Sequence, residues 1–487
     1  MNKEFDIQYA RDYTGWAYND MKWLSDVEAK KASRKRDALL KSISDKINSN
    51  YLGNKLCLGR LSPGCVICGN GKWSCLFIDS LCTANCFFCP QDRKNKKDLP
   101  PTDFGIQFDT PDDYVDYLKK FNFQGVSFSG GEPLLQYEKI LTYIRKIRKI
   151  LGKGIYIWMY TNGDLITKDK LIALKKAGLN EIRFNIAARK YDLKALELSA
   201  GIMDTVTVEI PAIPEDYAKL KRCLSRMKTI GVKHLNLHQL FANQYCYNKF
   251  VNRSYTFLHQ PDIPILESEI TALRIIKYAL DNNIDLPINY CCAIYKHRFQ
   301  KKGYREKFQP FVKHPYETLT ESGFIRRLSI QDTMLNIKRL VKIFQKNRCH
   351  QHLWFLNKNK SELFVHHSLL KYIDFNKYDL TVEYFTPQLI ANREDDEQSR
   401  EIRLNKKRNV YIGKIFVHQT KIKNPATIKS FQALFIKKME SIDVLRKFFR
   451  NYELKTKADI EDMMNEKELL DVLKNWEFIG SGLSNIY

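Results

Sequence analysis

Short apolar runs alternate with amphipathic stretches through the middle of the chain. The runs are Cys75–Ser80, Gly125–Ser129, Ile155–Tyr160, Glu181–Ile186, Val206–Ile210, His234–Leu240 and Leu286–Cys291. Each is too short for a helix and predicts a strand. Between them, Tyr137–Leu151, Lys168–Ala177 and Glu267–Asn282 repeat their apolar positions with helical spacing. Strand and helix in regular alternation predict a parallel sheet. Six or seven such units are too few to close an eight-stranded barrel, so a curved, partial barrel is expected. Its reacting groups would lie at the carboxyl ends of the strands. The flanks read differently. Residues 1–56 predict a polar helical extension with Trp16, Trp23 and Leu24 facing inward, and Lys30–Lys46 as a basic helix with a solvated face. Beyond residue 296 the alternation stops. Leu380–Phe385 and Asn409–Val417 predict strands, Thr333–Gln345 and Ile428–Phe449 helices, and Lys457–Ile479 two short helices and a strand. The expected organisation is therefore an extension over 1–56, a Cys-rich segment over 57–76, a core over 77–296 and an α+β C-terminal domain over 297–487.

Composition narrows the class. The chain has 487 residues, and its 12% aromatic content does not fit a disordered or fibrous polymer. No stretch approaches the ~20 uninterrupted apolar residues of a membrane span, and the first residues carry charges where a signal peptide needs an apolar run. A cytoplasmic protein without a membrane partner is expected. The net charge is +25, and residues 297–450 hold 32 basic against 15 acidic side chains. Such a field attracts RNA, DNA or an acidic peptide, although a Lys-, Ile- and Asn-rich chain from an AT-biased genome acquires the same charge without any polyanion partner. Seven of the twelve Cys lie between Cys57 and Cys89. In a chain without an export signal, clustered cysteines predict metal or redox chemistry rather than disulfides.

The sharpest motif follows the first strand: Cys82-Thr-Ala-Asn-Cys86-Phe-Phe-Cys89-Pro, a C-x3-C-x2-C triad. Three soft thiolates on one loop can hold three irons of a cubane and leave the fourth open to a ligand. This triad resembles the signature of the radical S-adenosylmethionine (radical SAM) enzymes. Val126-Ser-Phe-Ser-Gly130-Gly131-Glu132-Pro133, at the end of the second strand, resembles the same family's GGEP motif. The resemblance covers roughly Leu76 to Cys291. It implies a (β/α)6-type barrel, with Cys82, Cys86 and Cys89 holding a [4Fe–4S] cluster whose open iron binds SAM. It further implies that Phe88 lies near the adenine, that the backbone of Gly130, Gly131 and Pro133 and the Glu132 carboxylate meet the methionyl ammonium, and that Asn162 and Asn185 contact SAM from the third and fourth strand ends. An external donor of the flavodoxin or ferredoxin type would supply the electron. The 5′-deoxyadenosyl radical so formed would abstract hydrogen from a substrate, left open between RNA, a peptide and a small molecule.

A second group, Cys57-x7-Cys65-x2-Cys68-x6-Cys75, offers four more thiols. An auxiliary [4Fe–4S] cluster, a structural Zn²⁺ and no metal all fit that spacing. If Cys75 instead points from its strand into the barrel, Cys291 or Cys292 could complete the set. Glu209, Pro211, Asn236 and His238 end later strands and read as turns or satisfied strand-end polar groups. Lys296-His297-Arg298, just past a strand end, could face a bound anionic substrate but reads rather as a solvated linker. Two other functions remain open: an activating enzyme for a partner protein, and a non-catalytic RNA-binding protein stabilised by metal.

Overall fold

The computed structural model describes residues 3–91, 100–243, 245–260, 262–392, 398–436, 473–480 and 482–483. It divides into two compact units. One comprises residues 2–301 with 404–408 and 481–487; the other comprises 302–403 and 409–480.

The first unit is built on one sheet. Its strands used below are β1 (Lys55–Leu58), β2 (Trp73–Phe77), β3 (Gly125–Ser129), β4 (Tyr156–Thr161), β5 (Glu181–Phe184), β6 (Thr205–Pro211), β7 (His234–His238) and β8 (Ile288–Cys291). From β2 to β8 every neighbouring pair is parallel, and β1 adds antiparallel to β8. The seven parallel strands are the seven apolar runs, shifted by at most a few residues. Helices Tyr137–Leu151 and Lys168–Ala177 form over the residues that the periodicity marks. Strands β2 and β7 stand five spacings apart, roughly 24 Å if the sheet were flat. Yet Cys75 of β2 and His238 of β7 line one cavity. The sheet is therefore rolled into a partial barrel.

The N-terminal segments depart from the sequence reading. Residues 1–56 are not wholly helical: α1 (Asp26–Ile43) is followed by the short strand Asn48–Asn50 and by β1, which joins the barrel. Nor is α1 solvated all round. Arg36 is fully buried, and its guanidinium lies 3.5 Å from Glu269 of the helix Leu266–Asp281. A charged helix reads as a solvated face in one dimension, but here a carboxylate in the opposing helix receives the charge. Trp23 packs on Tyr18 and His259. The segment 57–76 is no separate domain either. It holds the end of β1, the seven-residue helix α2 (Pro63–Gly69) and most of β2, all within the barrel unit.

The second unit centres on an antiparallel sheet that includes Ile325–Gln331, Glu362–Val365, Leu380–Ile390 and Asn409–Ile422. Helix Met334–Lys346 covers it through Ile337, Leu340 and Phe344. Trp354 and Phe375 are core residues, whereas Phe355 is exposed. The predicted helix Ile428–Phe449 forms as Pro425–Ile436; residues 437–449 and most of the tail 457–479 lie outside the described residues. Among the described residues, no helix is long and apolar enough to cross a membrane.

Beside β2, Asp103 is buried and accepts hydrogen bonds from Ser74 Oγ (2.5 Å) and Tyr117 Oη (3.1 Å). Burial pushes its carboxyl up to about 7 despite those donors. The folded chain then keeps a proton that the unfolded chain releases near pH 4. The stability so conferred is present at low pH and lost as pH rises through 7, on the order of 1 kcal/mol per unit across that window. Asp103→Asn is expected to flatten this dependence and to exceed the wild type in stability at pH 8. Urea denaturation at pH 5, 6.5 and 8 measures both.

Candidate active site

The triad loop leaves β2 and lies against the end of β3. Asp79 shapes its first turn by accepting the Leu81 N–H at 3.0 Å. Gly131 and Glu132 then bind the loop backbone to backbone: Gly131 N–H donates to the Asp79 carbonyl at 2.9 Å and Glu132 N–H to the Leu81 carbonyl at 2.6 Å. A Cβ on Gly130 would strike the Asp79 carbonyl, and one on Gly131 the Leu81 carbonyl. Gly130 also has φ +138°, which favours glycine. The first duty of these two glycines is thus to let the cysteine loop sit flush on the strand end. Both also line the cavity beneath it.

Glu132 departs from its sequence-based role. It is fully buried, and it and Pro133 stand behind the cavity wall rather than on it. Its carboxylate accepts from Leu134 N–H (3.1 Å), Thr161 Oγ1 (2.8 Å) and Asn162 N–H (2.7 Å). Burial raises this carboxyl, and those three donors oppose the shift. Glu132 therefore fastens the end of β4 to the end of β3. Asn162, held by that bond, turns its amide to Thr83 Oγ1 (2.9 Å) and to Cys82 Sγ (3.8 Å). One chain of contacts runs from the triad loop through β3 to β4 and back to the first cysteine.

Cys82, Cys86 and Cys89, all half-buried, line a cavity of about 440 Å³ together with Phe88, Asn162 and Asn185. Asn185 caps a short turn by accepting from Ala188 N–H at 3.3 Å. Among the described residues no three Cys, His, Asp or Glu side chains gather as they would around a single ion. A cubane makes a different demand, since its thiolates approach separate iron corners. Soft sulfur, three ligands on one short loop and an amide N–H directed at Cys82 all fit such a cluster.

The opposite wall holds Glu209, Asn236 and His238, which the sequence marks as strand-end polar groups, and Arg183, which it does not single out. Glu209 accepts from Arg183 Nη1 (2.7 Å) and Asn236 Nδ2 (2.9 Å), and His238 Nε2 lies 2.7 Å from its other oxygen. Arg183 also pairs with Glu181 at 2.9 Å. Burial alone would raise the Glu209 carboxyl, but the Arg183 guanidinium holds it well below the usual carboxylate range. Burial and the nearby Lys296 ammonium keep His238 below its ordinary value, so it donates as neutral imidazole at neutral pH. Lys296 lines the same cavity instead of lying in a solvated linker, and Arg298 donates to Asn54 Oδ1 at 2.6 Å. The available signal was the alternation of Glu181 and Arg183, two opposite charges on one face of a four-residue buried strand.

The N-terminal cysteines do not assemble as Cys57, Cys65, Cys68 and Cys75. Alternation along β2 turns Trp73 and Cys75 to one face, and both line the main cavity. Cys57 on β1 and Cys65 and Cys68 on α2 stay together elsewhere in the barrel. Gly131→Ala is expected to cost about 2–3 kcal/mol by forcing the triad loop off the strand end. Gly154→Ala, where a Cβ meets open space, should be near neutral; paired thermal and urea unfolding compares the two.

A sequence model of the Radical SAM superfamily matches residues 80–197. A Methanocaldococcus jannaschii protein named as a glycyl-radical enzyme activating enzyme is 29% identical over 301 residues, 59% of this chain and 78% of that protein. The GTP 3′,8-cyclase of Aquifex aeolicus is 33% identical over 108 residues, and the match spans 22% of this chain and only 32% of the cyclase. Among solved structures, Streptococcus suis SuiB bound to S-adenosylmethionine aligns over 63% of this chain and 65% of its own, at 13% identity and a TM-score of 0.34. The matched segment begins at the triad loop and contains both glycines, Glu132, Asn162 and Asn185, so residues 80–197 of the barrel unit carry a Radical SAM domain.

Proposed function

We propose that this enzyme binds a [4Fe–4S] cluster through Cys82, Cys86 and Cys89, cleaves SAM reductively and abstracts hydrogen from a substrate at the cavity mouth. The observation that carries the reading is the meeting of the three triad thiols, the glycine pair, Asn162 and Asn185 on one cavity. When bound, the cluster supplies the electron that divides SAM into methionine and a 5′-deoxyadenosyl radical. The chain's own residues position and shield. Cys82, Cys86 and Cys89 leave one iron without a protein ligand. Gly130 and Gly131 offer backbone at close approach, Asn185 a side-chain amide, and Phe88 an apolar face for a base. Asn162 steadies Cys82 through its amide. The Arg183–Glu209–His238 chain fixes the far wall, so that wall need not reorganise as the reaction proceeds.

For the substrate, a segment of a partner protein is favoured over RNA or a small molecule. The likeness to the M. jannaschii protein extends over 301 residues, well beyond the segment matched by the superfamily. A cavity of about 440 Å³ is also of the size that one drug-sized ligand such as SAM occupies. A substrate would then approach through the mouth, as an exposed loop can.

Anaerobic incubation with SAM and dithionite tests the reading. The reconstituted enzyme is expected to form 5′-deoxyadenosine, and Cys82→Ala is expected to reduce it at least a hundredfold. A glycyl-type signal in electron paramagnetic resonance on adding a partner would support the protein substrate. Formation of 5′-deoxyadenosine that persists in Cys82→Ala would overturn the assignment.

A further inference from the structure

The register of β1, β8 and β7 brings a second polar set into the barrel. Across β1 and β8, Cys57 pairs with Asn289; across β8 and β7, Asn289 pairs with Asn236 and Cys291 with His238. Residues two apart on a strand share a face, so Lys55 and Cys57 of β1 stand together with Asn289 and Cys291 of β8. Helix α2 carries Cys65 and Cys68 to this face. Gly64, one residue ahead of Cys65, has no room for a side chain beside Glu181 and Arg183.

The donors around these sulfurs are specific. Asn236 Nδ2 lies 3.3 Å and Asn289 Nδ2 3.9 Å from Cys65 Sγ. Gln300 Nε2 lies 3.1 Å from Cys68 Sγ. Lys55 Nζ lies 4.0 Å from Cys291 Sγ and 3.9 Å from the centre of the Tyr295 ring. Three sulfurs thus receive three amides and one ammonium, although a neutral thiol is a weak acceptor. Lys55 is 1% exposed, and among the described residues no carboxylate pairs with it. A buried ammonium is strongly unfavourable unless an anion compensates it. Among the described residues, the groups around its ammonium that can supply that charge are the Cys291, Cys65 and Cys68 thiols and the Tyr295 phenol, and thiolates carry it when a metal holds them deprotonated.

We propose that Cys65, Cys68 and Cys291, with Cys57 as the fourth thiol, form a second metal–thiolate centre for which Lys55 is the counter-cation. Iron–sulfide and zinc are the two metals whose chemistry suits four thiolates. Cys291 takes the place that spacing alone assigns to Cys75, because Cys75 lines the triad cavity from β2 whereas Cys291 stands beside Lys55 on the β1–β8 side of the barrel. As at the triad, these thiols do not surround a point, an arrangement that suits a cubane, whose thiolates approach separate iron corners. The centre uses none of the triad's ligands, and failure of SAM cleavage would leave it standing.

The test is metal content in a chain that lacks the first centre. A Cys82→Ala/Cys86→Ala/Cys89→Ala variant is reconstituted anaerobically, with iron and sulfide in one arm and zinc in the other. It is expected to retain about four iron and four sulfide per chain, or about one zinc. Adding Cys65→Ser and Cys68→Ser should remove that metal. In the otherwise wild-type chain the same pair should lower total metal by one centre while the triad cluster keeps its spectroscopic signal, so a misfolded triad variant does not decide the matter. Lys55→Met should weaken retention of the second centre's metal at least tenfold under chelator challenge. A folded triad variant with no bound metal in either arm would overturn the proposal, as would metal retention unaffected by Cys65→Ser/Cys68→Ser.

Discussion

The absence of a side chain at Gly131 is the constraint on which the site rests. Its backbone lies so close to the Leu81 carbonyl that any Cβ would drive the two apart. That contact sets the cysteine loop on the end of β3. From there, Glu132 extends the same fixation sideways. A carboxylate with three donors is tolerable in a buried position because each donor offsets part of its desolvation, and two of those donors belong to β4. The triad loop is therefore braced by two strand ends, with Asn162 reaching back to Cys82. A loop held in this way can present three thiols to one cavity.

A second principle organises the interior. Charges and thiols that would be costly alone are grouped so that each compensates another. Arg183 lies between Glu181 and Glu209, His238 donates to Glu209, and Arg36 meets Glu269. Such pairs add little net stability compared with apolar packing, but removing one partner leaves an expensive orphan. They hold the far wall of the cavity in one arrangement, as chemistry with a reactive intermediate requires.

Much of the fold could be read directly from sequence. Seven short runs became seven parallel strands because they are too short for helices and alternate regularly with amphipathic helical segments. The triad was legible for a different reason: its three ligands come from one loop, so their spacing is local. Where partners are distant in sequence, the reading failed. Cys75 was grouped with Cys57, Cys65 and Cys68 by proximity along the chain, but β1 and β2 lie far apart in the sheet order and β2 places Cys75 on the triad cavity. Lys296 and Arg36 looked like solvent charges because the groups they approach lie on elements far away in sequence. Glu132 was read as a ligand-binding carboxylate, and only the pairing of β3 with β4 reveals its three internal donors.

The most direct test of the account is anomalous diffraction at the iron edge from crystals of the anaerobically reconstituted enzyme with SAM. The account predicts an iron peak among Cys82, Cys86 and Cys89, with SAM density against Gly130, Asn162 and Asn185 in the same cavity. SAM bound in that cavity with no iron at the triad, or iron at the triad with SAM bound elsewhere, would contradict it.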